Sequence, residues 1–348
     1  MADETATSPD ATTNPANPGR PGAIGAIGAP GAPLGIRRGR SGSTSSARGD
    51  AVFRGLTAGV SALVFVIIVA IAVFLVLKAG PALNANKANF FTEKGFSTEN
   101  RADARFGIAA LVYGTMVSAF IAVLLAVPVA LGVALYVTQY AHPRLARPVG
   151  YIVDLLAAVP SVVFGLWGLV FLAPRLKGLQ EGLASWFGWT GLFSSDGQTT
   201  KSILLASIIL AVMILPIVSA ICREVFVQVP AANREAALAL GATRLEMIRL
   251  AVLPYSRAGV VSAIMLGLGR ALGETIAVAL TLSTVLRISP NLLGSGDTIA
   301  ANIAVKFGDS SPTGRSALIA TGLVLFVITL VVNLAARTIV GRAQRSAA

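Results

Sequence analysis

Two ionisable residues four apart, Arg270 and Glu274, stand inside an otherwise apolar run, GLGRALGETIAVAL. On one helix this spacing places both on one face, where they can pair. A charge at the centre of a bilayer costs about 2.5–3.5 kcal/mol on insertion scales, so such residues face a bundle interior or a water-filled path. Three kinds of chemistry fit. The pair can be a structural ion pair that fixes helix packing. It can line an anion path, with Arg270 attracting the anion and Glu274 holding Arg270 when the path is empty. It can be a proton relay of a secondary transporter. Thr275 adds a hydroxyl beside Glu274. Ser161, in another apolar run, adds a second: counted by helical rise from Pro148 it lies roughly 20 Å in, as Arg270 does from Arg257. Gly269 and Gly273 form a small-xxx-small pair that lets another helix come close.

The elements that position these residues are membrane helices. Hydrophobic residues make up 55% of the 348, charged residues only 13%, and the mean hydropathy is +0.75. A soluble domain of this length carries roughly a quarter charged residues. Six apolar segments follow one another at about 55–77, 107–137, 149–173, 202–222, 258–282 and 316–340, each long enough for a hydrocarbon core of about 30 Å. Backbone groups in lipid must be satisfied internally, so these segments are expected as helices. The expected architecture is an all-α membrane protein, one permease domain over residues 51–345. Pro128, Pro160 and Pro216 predict kinks in three of the spans.

Arg144 and Arg147 in one loop, and Arg337, Arg342 and Arg345 at the C-terminal end, come without acids nearby. That bias predicts both regions on the cytoplasmic side, and six spans then put the N-terminus there too. Lys78, Lys87, Lys94, Arg101 and Arg105 on the opposite side are mixed with acids. The net charge of +12 reads as cytoplasmic loops and contact with anionic membrane lipid; no basic patch interleaved with aromatics supports nucleic acid. Residues 1–50 are rich in Gly, Pro, Ala, Ser and Thr, predicting a disordered cytoplasmic tail, too polar and too long for a cleavable signal peptide. The loops 78–106, 174–201 and 283–315 are expected outside. The second carries Trp186, Phe187 and Trp189, which predict a short interfacial helix with an aromatic anchor.

Residues 228–254 are a polar insert between the fourth and fifth spans. Pro230 opens a segment of good helix formers, AANREAALAL. Gly241 stands where a left-handed residue would end that helix. Thr243 with Glu246 three later predicts a capping box for a second helix, RLEMIRLAV, closed by Pro254. Ala236 and Ala237 leave room for a partner's groove and Glu235 sets a charge at its edge. Spacing alone leaves two readings, an amphipathic loop packed on its own bundle and a docking element.

The stretch Glu235, Ala236, Ala237, three residues, Gly241, nine residues, then Ala-x-Leu253-Pro254 resembles the EAA loop of ABC-transporter permeases. Ala251 stands where that pattern usually has Ile. The resemblance implies a cytoplasmic helix-turn-helix coupling loop seated in a cleft of a separate ATPase, and a MetI-like fold. No Gly-x-x-x-x-Gly-Lys-Ser/Thr pattern occurs in this chain, so the expected ATPase chemistry, with its ATP and Mg, belongs to a partner and this chain carries no cofactor. DLLAAVPSVVFGLWG (Asp154–Gly168) and LGRALGETIAV (Leu268–Val278) are similar to phosphate ABC-transporter permeases. Length and the extended first loop resemble the PstC-type subunit rather than its PstA-type partner. The resemblance spans roughly 50–345. It implies a multi-pass protein of the bacterial plasma membrane. Its implied partners are a second, PstA-like permease, a dimeric ATP-binding subunit and an extracytoplasmic phosphate-binding protein. It also implies that Arg270 and Glu274, with Thr275, line the route of phosphate. Related oxyanions such as molybdate or sulfate remain the alternative cargo, and a proton-coupled secondary transporter the alternative class.

The other singled-out residues have plainer readings. Asp154 satisfies a helix N-terminus or pairs with Arg147. The one histidine, His142, is a solvated loop residue, and the one cysteine, Cys222, is a small buried hydrophobe. Single copies of each exclude an internal disulfide and a multi-cysteine or His-rich metal site.

Overall fold

The computed structural model describes residues 44–97, 105–194 and 200–345. Contacts divide the chain into Met1–Ser61 and Ala62–Ala348. In the first unit the described residues form the opening turns of helix α1 (Thr44–Ala85). Of the expected tail 1–50, residues 1–43 lie outside the described residues, and 44–50 already belong to α1. No proline stands between Pro33 and Pro81, so nothing stops the helix from extending back from its apolar run.

In the second unit the helices are α2 (Ala109–Leu135), α3 (Pro143–Ala157), α4 (Ser161–Trp167), α5 (Ala173–Phe187), α6 (Ile203–Val227), α7 (Ala231–Ala239), α8 (Arg244–Met247), α9 (Leu253–Leu272), α10 (Ile276–Thr281), α11 (Ile299–Lys306) and α12 (Pro312–Arg345). Strands β1 (Phe96–Ser97) and β2 (Arg105–Phe106) pair antiparallel, Phe96 opposite Phe106. Among the described residues six helical stretches are long and apolar enough to cross a membrane: Gly49–Ala85, Ala109–Tyr140, Ser161–Thr190, Ile203–Val227, Arg244–Leu272 and Pro312–Thr338.

The core is built on α6. Along α2, Ala119, Ala122, Ala126, Ala130 and Ala134 are all buried; their spacing of three or four makes one stripe of small side chains, which lets the two backbones approach. They meet Leu210, Met213 and Ile214 of α6 in one cluster and Val218, Cys222 and Phe226 in the next. Helix α9 closes on α6 in the same manner. A Cβ at Gly259 would stand 2.5 Å from Val225 and one at Gly267 2.7 Å from Val218. Ala263 between them is fully buried.

Prolines decide how the long helices continue. Pro174 and Pro254 each follow a π turn by one residue, Gly168–Leu172 and Ile248–Val252. A proline inside an α-helix lacks an N–H and its ring crowds the carbonyl four residues back. The wider turn relieves both: the Ala173 N–H donates to Gly168 O and the Leu253 N–H to Ile248 O. Pro254 therefore does not close the second helix of the polar insert, which runs unbroken from Arg244 to Leu272.

Two of the expected spans are not single helices. The stretch 149–173 breaks between Ala157 and Ser161. Pro160 is extended (φ −58, ψ 139), and a proline disfavours the helical conformation for the residue before it. The stretch 258–282 breaks after Leu272, where Gly273 caps α9 and α10 starts afresh at Ile276. The segment expected as the loop 174–201 begins as helix, since α5 reaches Phe187, leaving Trp186 and Trp189 80% and 85% exposed beyond the packed body.

Candidate functional site

The polar insert folds as a hairpin of helices by rules local to its sequence. Pro230 is extended and precedes α7. At the far end Gly241 takes φ +86, a conformation that costs a side-chain-bearing residue about 1–2 kcal/mol. Around it the Ala242 N–H donates to Ala237 O and the Gly241 N–H to Leu238 O, which satisfies carbonyls that the helix end would leave open. Thr243 and Glu246 then form both halves of the capping box: the Thr243 N–H donates to Glu246 Oε2 at 2.7 Å, and the Glu246 N–H donates to Thr243 Oγ1 at 3.3 Å.

The six positions expected to couple to an ATPase divide into two sets. Ala237 and Leu253 turn inward, against the cluster of Met247, Ile248 and Val252. Glu235, Ala236, Gly241 and Pro254 are exposed. Helix α7 buries none of its residues, and Leu240 at its end is 90% exposed. Beside it Arg234, Glu235, Arg244, Thr138 and Gln139 line a cleft of about 270 Å³. The hairpin is thus ordered from within, with α7 on its exposed side.

Arg270 and Glu274 are not a pair. The i, i+4 face that would join them requires one continuous helix, and α9 ends between them. Glu274 is buried, and its Oε1 accepts the Ala277 N–H at 3.2 Å, so its carboxylate caps the start of α10. Thr275 is half-buried and donates to Gly273 O at 3.1 Å. Arg270 is exposed in the last turn of α9, and among the described residues it makes no ion pair. Among the described residues Gly269 and Gly273 do not mediate packing. A Cβ at Gly269 would meet nothing within 4 Å, and one at Gly273 only Gly269 O at 3.6 Å. The close contact with α6 runs through Gly259, Ala263 and Gly267 instead, leaving Arg270 and the two glycines clear of it. Ser161 is the first, half-buried residue of α4. That helix packs on α10 where Gly165 leaves room for Ala277, 2.7 Å from a would-be Cβ. Ser161 and Arg270 therefore belong to neighbouring elements around one break.

Three polar features escaped the sequence reading or were read differently. Asp154 pairs with Arg223, not Arg147: Arg223 Nη2 lies 2.9 and 3.0 Å from the two carboxylate oxygens. The contact joins helices sixty-nine residues apart, beyond any local spacing rule. His142 accepts the Arg144 N–H and so caps α3, although it is exposed. Asp297, in the stretch expected as the last outer loop, is buried. It accepts from the Thr298 N–H at 2.8 Å and from Asn302 Nδ2 at 2.6 Å, while burial holds its carboxyl above the ordinary carboxylate range.

Residues 126–345 match the family of binding-protein-dependent transport system inner membrane components. The chain is 47% identical over 301 residues to the phosphate transport system permease protein PstC 2 of Mycobacterium tuberculosis, which covers 84% of this chain and 92% of that protein. It is 40% identical over 304 residues to the PstC permease of Xylella fastidiosa strain 9a5c, covering 86% and 93%. Among solved structures it is similar to the MetNI methionine ABC transporter (TM-score 0.47, 19% identity, 67% of this chain and 96% of that one). It is likewise similar to a bacterial transporter that imports alginate (TM-score 0.48, 22% identity, 68% and 79%). The chain belongs to the inner-membrane components of binding-protein-dependent transport systems and, within them, to the PstC permeases of phosphate transport systems.

Proposed function

We propose that this chain is the permease subunit of an ATP-driven phosphate importer, coupling through residues 231–254 to a separate ATPase. The observation that carries the coupling half is α7. It is a helix closed at its C-terminal end by Gly241, and it fully buries none of its residues, only Ala237 turning inward. An ordered, unburied helix presenting Glu235, Ala236 and Gly241 fits a groove on another protein. In this reading Ala237 and Leu253 tie the hairpin to α9, so a push on α7 is delivered to the helix whose last turn carries Arg270.

The substrate half rests on the likeness to phosphate permeases and on Arg270. A lone exposed guanidinium at the end of an apolar helix, beside glycines with open space around them, suits an anion's route at a face shared with a second, PstA-like permease. Glu274 holds the break open by capping α10, and Thr275 and Ser161 offer hydroxyls beside it. The implied assembly adds two ATP-binding subunits, which bring ATP and Mg, and an extracytoplasmic phosphate-binding protein. Both termini are cytoplasmic, and the spans sit in lipid of the plasma membrane. Transport proceeds by rigid-body alternation of the bundle, with no covalent step on phosphate.

The test is uptake of radiolabelled phosphate in a strain lacking its other phosphate importers. Deleting this chain should abolish it and leave molybdate and sulfate uptake intact. Phosphate uptake that survives the deletion rejects the substrate. Uptake that follows the proton gradient and ignores ATP depletion rejects the ATPase coupling.

A further inference from the structure

The Arg223–Asp154 contact is a two-oxygen polar link between helices that neither the coupling hairpin nor the Arg270 break uses. Arg223 stands four residues before the end of α6 and seven before Pro230, where the hairpin starts. Asp154 stands on α3, seven residues before Ser161. The guanidinium side chain is 18% exposed and the carboxylate 48%. Gly150, one helical turn before Asp154, makes the approach possible: a Cβ there would stand 2.6 Å from Arg223 Nη1. Glu224 offers a second carboxylate, its Oε1 3.8 Å away, so the arginine keeps an acidic neighbour even if α3 moves away.

Geometry makes this contact a junction. Helix α6 leads directly into the hairpin, and α3 leads across the Pro160 break into α4, whose Gly165 rests on α10. We propose that Arg223, Asp154 and Gly150 form a positioning clamp that makes α3 travel with the hairpin end of α6. The clamp carries hairpin motion to Ser161 and to the far side of the Arg270 break. The inference rests on the reading of this chain as an ATPase-coupled phosphate permease. The half-exposed carboxylate suits such a role. A pair this accessible adds little to folding, yet it fixes the register of two helices as long as it is closed.

The test uses the complete transporter with its binding protein in proteoliposomes, reading phosphate moved per ATP hydrolysed. Asp154→Asn and Arg223→Gln should each leave an assembled complex that hydrolyses ATP, with the ratio lowered about threefold to fivefold, the size of a partly exposed pair. Gly150→Leu keeps both charges but displaces the guanidinium, and should lower the ratio by a similar factor. The double variant Asp154→Asn/Arg223→Gln should be no worse than either single one, because one contact is lost in all three. If a neutral variant does not assemble, Arg223→Lys, which keeps the cation and loses the planar head, carries the same measurement. Unchanged ratios, or losses that multiply in the double variant, overturn the clamp. A wild-type complex that moves no phosphate overturns the underlying reading instead, so the two failures are distinct.

Discussion

The hairpin at 231–254 and the break at 270–276 both interrupt apolar helices with glycine and a glutamate, yet they are held by opposite means. In the hairpin the turn and the cap are local: the positive φ of Gly241, the Ala237–Ala242 bond and the Thr243–Glu246 box lie within ten residues, and only the inner side, through Met247 and Ile248, packs on α2 and α6. Its outer face, along α7, is left exposed. At the break, Gly273 has no positive φ. What holds it is the burial of Glu274 and the packing of α10 against α4 and α6. If the hairpin docks as proposed, it has to keep its shape while its partner is absent, so local order serves it. The break, in the same proposal a site on the substrate's route, takes its shape from the helices around it.

That contrast can be broken by substitution, beginning with the largest effect. Arg270→Gln should cut phosphate uptake about 10- to 100-fold, the equivalent of the ~1.5–3 kcal/mol of a charged hydrogen bond, while the complex assembles at normal levels. Equal loss of assembled complex would make Arg270 structural. Gly241→Val should cost about 1–2 kcal/mol through backbone strain alone, since a Cβ there meets nothing within 4 Å. Its readout is weaker co-purification of the ATPase with unaltered thermal stability of the permease. Thr243→Ala should cost about 1 kcal/mol of local helix stability, seen as faster amide exchange confined to 243–247. Exchange that spreads into α9 would show that the hairpin depends on its neighbours after all.

The smallest effect is predicted at the break. Glu274→Gln keeps an oxygen that can accept the Ala277 N–H, so uptake should stay within about threefold of normal, whereas Glu274→Ala removes the cap at a cost of about 1 kcal/mol. If Gln is as harmful as Ala, the carboxylate's charge matters and its role exceeds capping. A rescue of Glu274→Ala by a second change that neutralises Arg270 would restore the paired reading, which the separate helices now oppose.

Much of the candidate site was legible because its code is short-range. Glu235 to Pro254 could be read residue by residue, and Gly241, Thr243 and Glu246 take the conformations their types demand. What misled was continuity. Arg270 and Glu274 have the spacing of a helical pair, and nothing between them but Gly273 signals that the helix stops. Pro254 reads as a stop, and a π turn lets the helix pass it. Asp154 has Arg147 one to two turns away, yet it takes Arg223 because Gly150 opens a path for that side chain.

By itself the sequence determined the solvent each part needs and the local turns. Apolar runs long enough for a bilayer, a capped hairpin and an arginine within an apolar segment follow from side-chain chemistry and near-neighbour sterics. The tertiary structure alone decided which helices are central. The windows of α1 and α6 are similarly apolar, with mean hydropathy 3.3 and 2.8, but 0% of the first and 72% of the second is buried. It also decided which glycines are contacts: Gly259 and Gly267 rather than Gly269 and Gly273. Hydropathy reports a preference to leave water and is indifferent to whether lipid or protein takes its place. That choice depends on the shape of side chains far apart in the chain, and only the folded bundle brings those shapes together.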